Sequence, residues 1–217
     1  MFEKIKFNQF ETFSELVHAI SPRYFRNDQG KTEEFFFLGN DKNGEKNYHV
    51  KRFLESIGIT NKPLYFVNQV HGDKIYILDD ADLTSNEVVK FSADALLTHI
   101  PGKPIGVFTA DCLPILIYGP RLKVIGAIHA GRRGSEQSIL LKVVREMNRV
   151  YESRPEELIV GFGPAIGGCC YEVEDDCVQP FKNMLPDEAN WFRTGLPGKY
   201  FLNLVETLQQ TLSTVTL

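Results

Sequence analysis

The chain has few of the residues that mark secreted, membrane-bound or nucleic-acid-binding proteins. It carries four cysteines in 217 residues. Cys112 stands alone, while Cys169, Cys170 and Cys177 bunch together without the regular spacing of a disulfide framework. A reduced, cytoplasmic chain is therefore expected. No stretch approaches the roughly 18–20 uninterrupted apolar residues of a membrane span. The start, MFEKIKFNQF, lacks the apolar core of a signal peptide. Charge of one sign is missing too: 24 Lys+Arg against 28 Asp+Glu leave a net −4. That balance argues against nucleic acid or an anionic membrane as partner. Repeats, low-complexity blocks and long linkers are also absent from the sequence, so one domain over 1–217 is expected.

What is present is a series of short apolar runs bounded by Gly or Pro, which read as buried strands. The first third is the least legible. Phe10 to Ile20 has weak helical periodicity, and Phe35-Phe36-Phe37-Leu38 reads as a short strand. Tyr48 to Ile57 reads as a helix stopped by Gly58. Further strands are expected at Leu64 to Gly72, Lys74 to Leu78, Ala93 to Thr98, Pro104 to Thr109, Leu113 to Tyr118, Val124 to Ile128 and Leu158 to Gly161. A helix capped by Ser135 should follow, with Ile139, Leu140, Val143, Val144, Met147, Val150 and Tyr151 on one stripe. Val173 to Leu185 has mixed helical character. A strand at Lys199 to Leu204 and a helix at Val205 to Leu212 close the chain. Strands in series that then alternate with helices indicate an α+β domain, mixed β-sheets flanked by helices.

Three of these runs end on His71, Cys112 and His129. Strands sharing a sheet bring their ends together, so two imidazoles and a thiol are expected to meet. They suit a zinc site with one tetrahedral position open. They equally suit a Cys-His nucleophile. Beside His129, the segment Gly131-Arg132-Arg133-Gly134-Ser135 places two forked cations at a helix entry, an arrangement suited to phosphate or carboxylate. Asp111 precedes Cys112 and can orient a ligand or take a proton, provided the strand has already turned. The same condition applies to Asp94. Gly161 to Val173 is a glycine-rich loop suited to wrapping a ligand, and Cys169, Cys170 and Cys177 lack zinc-knuckle spacing. His18, His49 and His99 read as surface or structural residues.

The motifs Asn68-Gln69-Val70-His71-Gly72, Thr109-Ala110-Asp111-Cys112-Leu113-Pro114-Ile115, His129-Ala130-Gly131-Arg132-Arg133-Gly134, and Gly163-Pro164-Ala165-Ile166-Gly167 through Cys170-Tyr171-Glu172-Val173 follow in this order. Together they resemble the YfiH/LACC1 family, also labelled multicopper polyphenol oxidase or laccase-like, and purine nucleoside phosphorylase. The resemblance implies a CNF1/YfiH-like cysteine-hydrolase fold. It implies zinc on His71, Cys112 and His129, the same residues being catalytic, with Cu2+ as the alternative that the family label carries. It implies purine nucleoside and phosphate as partners: phosphorolysis of adenosine, inosine and methylthioadenosine, and hydrolytic deamination of adenosine. Arg133, Arg132, Gly131 and Asp111 are the residues for phosphate and substrate. Laccase chemistry fits poorly, because several coppers need many histidines and the chain has five.

The chain departs from the family pattern at Arg132, where Trp is usual, and at Asn203 of Phe201-Leu202-Asn203-Leu204, where an acid is expected. The His-x-x-Ser-x-Arg element runs from His18 to Arg23, and the sequence is short at its C-terminus relative to the family. Two other readings stand beside the phosphorylase/deaminase: a metal-free Cys-His hydrolase or deamidase, and a catalytically weakened nucleoside-binding paralogue. A monomer and a homodimer are both compatible with the sequence.

Overall fold

The computed structural model describes residues 3–27, 29–35, 48–79, 91–185 and 190–213. Its packing separates into two units, Met1–Tyr65 with Pro101–Pro104, and Phe66–Ile100 with Ile105–Leu217.

The first unit holds helix α1 (Asn8–Glu11), the hairpin of β1 (Tyr24–Arg26) and β2 (Thr32–Glu34), and helix α2 (Tyr48–Ser56). The helical stretch expected over Phe10 to Ile20 is only the short α1. Ile5 pairs with Ile20 in an isolated bridge instead, and Phe10 packs edge-on against His18. His18 is buried and accepts a hydrogen bond from the Phe7 N–H at 2.9 Å, which makes it a structural histidine. Helix α2 matches expectation, with Gly58 past its end at φ +84°. Of the strand expected at Phe35 to Leu38, only Phe35 lies within the described residues, and it falls just after β2.

The second unit is built on β-alternation. Strands β4 (Ala95–Thr98), β5 (Leu113–Gly119) and β6 (Val124–Ala130) are almost wholly buried, as strands covered on both faces must be. With β3 (Ile75–Ile77) and β7 (Ile159–Phe162) they form a five-stranded sheet ordered β3-β4-β6-β5-β7. Only β3 and β4 run parallel. Register places Ile115 opposite Ile128 and Ala95 opposite Ile128, so one face carries Ala95, Leu97, Leu113, Ile115, Ile117, Val124, Ile128 and Ala130. On that face packs helix α4 (Ile139–Tyr151) through Ile139, Leu140, Val143, Val144, Met147 and Tyr151. Each large apolar side chain buried there contributes about 1.5–3 kcal/mol. Val150, expected on the stripe, is exposed. A second cluster gathers β8 (Glu172–Glu174), helix α5 (Asp175–Lys182), β9 (Phe192–Thr194), β10 (Lys199–Leu202) and the start of helix α6 (Leu204–Ser213) around Phe181 and Trp191.

Two runs expected as strands are not. Leu64 to Gly72 is extended but forms no strand of a sheet: Asn68 makes an isolated parallel bridge with Ser92 and the Tyr65 N–H donates to the Pro104 carbonyl at 2.9 Å, while Pro104 to Thr109 lies outside the sheets as well. The side chain of Gln69 also joins the two runs. Its amide donates to the Phe108 carbonyl at 2.8 Å and accepts from the Phe108 N–H at 2.8 Å. At Phe108 a side chain thus supplies what a neighbouring strand would. The expected Ser135 cap is also corrected. Ser135 lies inside a separate short helix, α3 (Arg132–Glu136), where its hydroxyl donates to the Gly131 carbonyl at 2.9 Å. Ser138, left-handed at φ 57°, separates α3 from α4. Among the described residues, no helix is long and apolar enough to cross a membrane.

Candidate metal centre

The register that builds the sheet also builds the site. Strand β6 runs against both β4 and β5, so its end meets their beginnings. Leu113 pairs with Ala130 and Ala95 with Ile128. One residue further, Cys112 faces Gly131 and Asp94 faces His129. His129 alternates with Ile128 and Ala130, so it points away from the α4 face. Because β3 lies parallel to β4, the turn before β3, which carries His71, arrives at the same sheet end. The donor atoms of His71, Cys112 and His129 all lie within 4.8 Å of one another.

The three sequence-predicted ligands therefore meet, though by three different local structures. Only His129 is on a strand. Cys112 lies one residue before β5, and His71 sits in a turn at φ 57°, a left-handed conformation that costs a non-glycine residue about 1–2 kcal/mol. Asp94 holds that turn. Its carboxylate accepts from the N–H groups of His71 at 2.9 Å, Gly72 at 2.7 Å and Val70 at 3.3 Å. Three successive N–H groups directed at one carboxylate form an anion nest, and charge-assisted bonds of about 1.5–3 kcal/mol each offset the strain.

The same carboxylate reaches His129, with Asp94 Oδ1 2.8 Å from His129 Nδ1. Burial pushes the His129 pKa down, against the raising effect of Asp94. A neutral imidazole then carries its proton on Nδ1, donates it to Asp94, and leaves the Nε2 lone pair for a ligand. In the sequence Asp94 stands out only as a lone Asp leading the apolar run Ala95 to Leu97.

Gly131 gives the site its space. A Cβ there would lie 3.1 Å from Cys112 Sγ, 3.2 Å from His71 Cδ2 and 3.9 Å from His129 Cε1. A methyl group would thus occupy the point on which the three side chains converge. Two imidazoles, a thiol and a kept-open centre make a donor set that could hold a metal ion. Without a cation, burial pushes the Cys112 thiol up, and Asp111 and Asp94 add to the shift. That environment suits a metal ligand, since a cation reverses the effect, better than a free thiolate nucleophile.

The residues expected around the triad divide. Arg133 is exposed and, among the described residues, makes no ion pair. Arg132 is half-buried, pairs with Glu136 and lies within electrostatic reach of Tyr171. Tyr171, to which the sequence assigned no role, is pushed up by burial, with Arg132 opposing, and lies within electrostatic reach of Cys112. Asp111 is exposed beside Cys112, and its carbonyl accepts from the Ile166 N–H at 2.9 Å, which ties the glycine-rich loop to the site. Helix α3, which opens at Gly131, is only five residues long, so its dipole is a small part of any anion binding. Of the other histidines, His49 packs on Phe25 and His99 on Tyr151.

Residues 37–217 match the family model described as Multi-copper polyphenol oxidoreductase laccase. The chain is 31% identical over 161 residues to a purine nucleoside phosphorylase of Xylella fastidiosa (strain 9a5c), covering 74% of this chain and 60% of that one. It is 31% identical over 176 residues to the purine nucleoside phosphorylase YlmD of Geobacillus stearothermophilus, covering 78% of this chain and 63% of that protein. The crystal structure of YlmD from that organism superposes with a TM-score of 0.71 at 29% identity, over 81% of this chain and 67% of that one. The Bacillus licheniformis hypothetical protein YfiH gives a TM-score of 0.70 at 29% identity, over 76% and 64%. The chain spans about six-tenths of the length of the curated relatives it matches.

Proposed function

This chain belongs to the multi-copper polyphenol oxidoreductase laccase family, and on that footing we propose that it is a cytoplasmic, zinc-dependent purine nucleoside phosphorylase that also deaminates adenosine. The observation that carries the reading is the convergence of His71, Cys112 and His129 around the space that Gly131 keeps open. Relatives named purine nucleoside phosphorylase support the substrate class. A single group of three donors among the described residues supports one zinc rather than several coppers. A zinc ion held there would supply a Lewis acid and a bound water of lowered pKa, which is what hydrolytic deamination needs.

The chain's own residues do the rest. Arg133 holds phosphate against the sugar through its forked donors. Asp111, exposed beside Cys112, accepts hydrogen bonds from the nucleoside. Asp94 holds the Nδ1 side of the His129 ring, which leaves Nε2 for a ligand, and fixes the His71 turn. Arg132, its charge engaged by Glu136, positions Tyr171 at the pocket wall, where the family has a Trp in its place. Adenosine, inosine and methylthioadenosine are the substrates proposed, and the CNF1/YfiH-like cysteine-hydrolase class goes with the same reading, its Cys and His serving here as ligands.

Incubation of the protein with adenosine and phosphate, followed by product identification, tests the reading. Adenine reports phosphorolysis, inosine reports deamination, and hypoxanthine reports both in sequence. Unchanged adenosine with metal-loaded protein would contradict it.

A further inference from the structure

Cys169 and Cys170 take no part in the metal centre. They stand in the turn at 168–170 with both side chains exposed, and their Sγ atoms lie 2.9 Å apart. Neighbours in an extended strand point to opposite sides, whereas this turn delivers both sulfurs to the same side. The backbone is pinned before and after the pair. The N–H groups of Cys170 and Tyr171 both donate to the Gly167 carbonyl, at 2.9 and 3.1 Å, and the Leu202 N–H donates to the Tyr171 carbonyl at 3.0 Å. Gly168 is pressed so close to Asn203 that a Cβ would meet the Asn203 Cβ at 2.9 Å. The proximity of the two thiols is therefore built into the turn rather than left to a mobile tip. Arg193 adds positive charge beside them: its guanidinium lies 4.1 Å over the Phe201 ring and donates to the Cys169 carbonyl at 3.5 Å.

We propose that Cys169 and Cys170 form a solvent-facing dithiol that closes to a vicinal disulfide when a small-molecule disulfide oxidises it, and reopens with excess thiol. The hydrogen bond with Cys169 pushes the Cys170 thiol up, with Arg193 pulling the other way. Either sulfur can be the donor of the pair, and either can be the first nucleophile, Cys169 for example. Its thiolate attacks one sulfur of the small disulfide. That S–S bond breaks, and the departing thiolate takes up a proton. Cys170 then gives up its proton and attacks the Cys169 sulfur, expelling the second small thiolate, which is protonated in turn. Two cysteine thiols lose two electrons, and one small disulfide becomes two thiols. The fixed closeness of the second sulfur gives this step a high effective concentration, so a mixed disulfide does not persist. In a reducing compartment the pair rests as the dithiol.

Treatment of the full chain with oxidised glutathione, followed by alkylation and mass spectrometry, tests the proposal. Proteolysis after Glu172 and Glu174 separates the pair from Cys177. In the wild type the peptide carrying both cysteines should lose two hydrogens, carry no glutathione, resist alkylation, and recover fully with added thiol. Cys169→Ser and Cys170→Ser should each instead retain one glutathione on the remaining cysteine. Both side chains are exposed, so unchanged circular dichroism is expected of each variant. A wild type that keeps a glutathione on either residue, that links one of them to Cys177, or that stays reduced where free dithiothreitol is oxidised would overturn it.

Discussion

Asp94 Oδ1 lies 2.8 Å from Nδ1 of His129, and the same carboxylate accepts the N–H of His71 at 2.9 Å. One buried acid therefore orients two of the three candidate ligands, one through its ring and one through its backbone. Asp94→Asn keeps the shape but removes the charge and can present an NH2 to the ring. Metal affinity, measured against a competing chelator, should fall about 10–100-fold. Stability should drop by about 1–3 kcal/mol, because the three N–H groups of the nest lose a charged acceptor. Unchanged affinity would mean that the carboxylate is only a core residue.

Gln69 fastens the His71 turn to the segment leading to Cys112, through its two bonds to Phe108. Gln69→Ala should cost about 1–3 kcal/mol in denaturant unfolding, because two backbone groups lose their partner. Gln69→Glu keeps the acceptor for the Phe108 N–H but sets a carboxylate against the Phe108 carbonyl. It should be no better than Ala, and metal affinity should weaken in both.

Gly131 and Gly134 separate site from fold. Gly131 has φ −78°, so alanine is unstrained there and its methyl meets only the ends of Cys112 and His71. Gly131→Ala should change stability by less than about 1 kcal/mol while lowering metal affinity at least about tenfold. At Gly134 a Cβ would lie 2.7 Å from the Gly72 carbonyl oxygen, which is backbone. Gly134→Ala should therefore destabilise by about 1–3 kcal/mol. Equal effects of the two changes on metal affinity at equal stability loss would remove the special place of Gly131.

How far the sequence reaches can be judged from these same residues. The buried strands β4, β5 and β6 and helix α4 are legible because their apolar periodicity is strong and their ends carry Gly or polar residues. The end of β6 that carries His129 and the start of β5 beside Cys112 follow from that pattern, whereas His71 arrives on a turn. The Leu64 and Pro104 runs form no ladder, and at Gln69 and Phe108 they meet through a side chain that periodicity does not show. Asp94 is hidden for a related reason. Nothing local distinguishes an acid that will receive three N–H groups and an imidazole from one that caps a turn in water. Ser135 looks like a cap by residue type, but the break at Ser138 is a backbone choice that composition does not reveal.

The His129 pKa lies below its usual 6.5 because of burial. Between that lowered value and 6.5 the unfolded chain binds a proton that the folded chain does not, so stability rises with pH across the window. It is fully present above about pH 6.5 and is lost as pH falls through the lowered folded pKa. His18, lowered mainly by burial as well, acts in the same direction. Chelator-treated protein should therefore unfold at lower urea at about pH 5.5 than at about pH 7.5, and the difference should shrink in His18→Gln. A midpoint that rises on acidification over this range would contradict the assignment.

Elemental analysis of the purified wild type and of Cys112→Ser, with nucleoside turnover followed on the same samples, reaches the metal centre most directly. About one zinc per chain is expected in the wild type. Metal and turnover should fall together in Cys112→Ser and after chelation, and both should return to the chelated wild type when zinc is restored. Full turnover in wild-type protein that carries no metal, unaffected by chelator, would show that His71, Cys112 and His129 do not act as a metal centre.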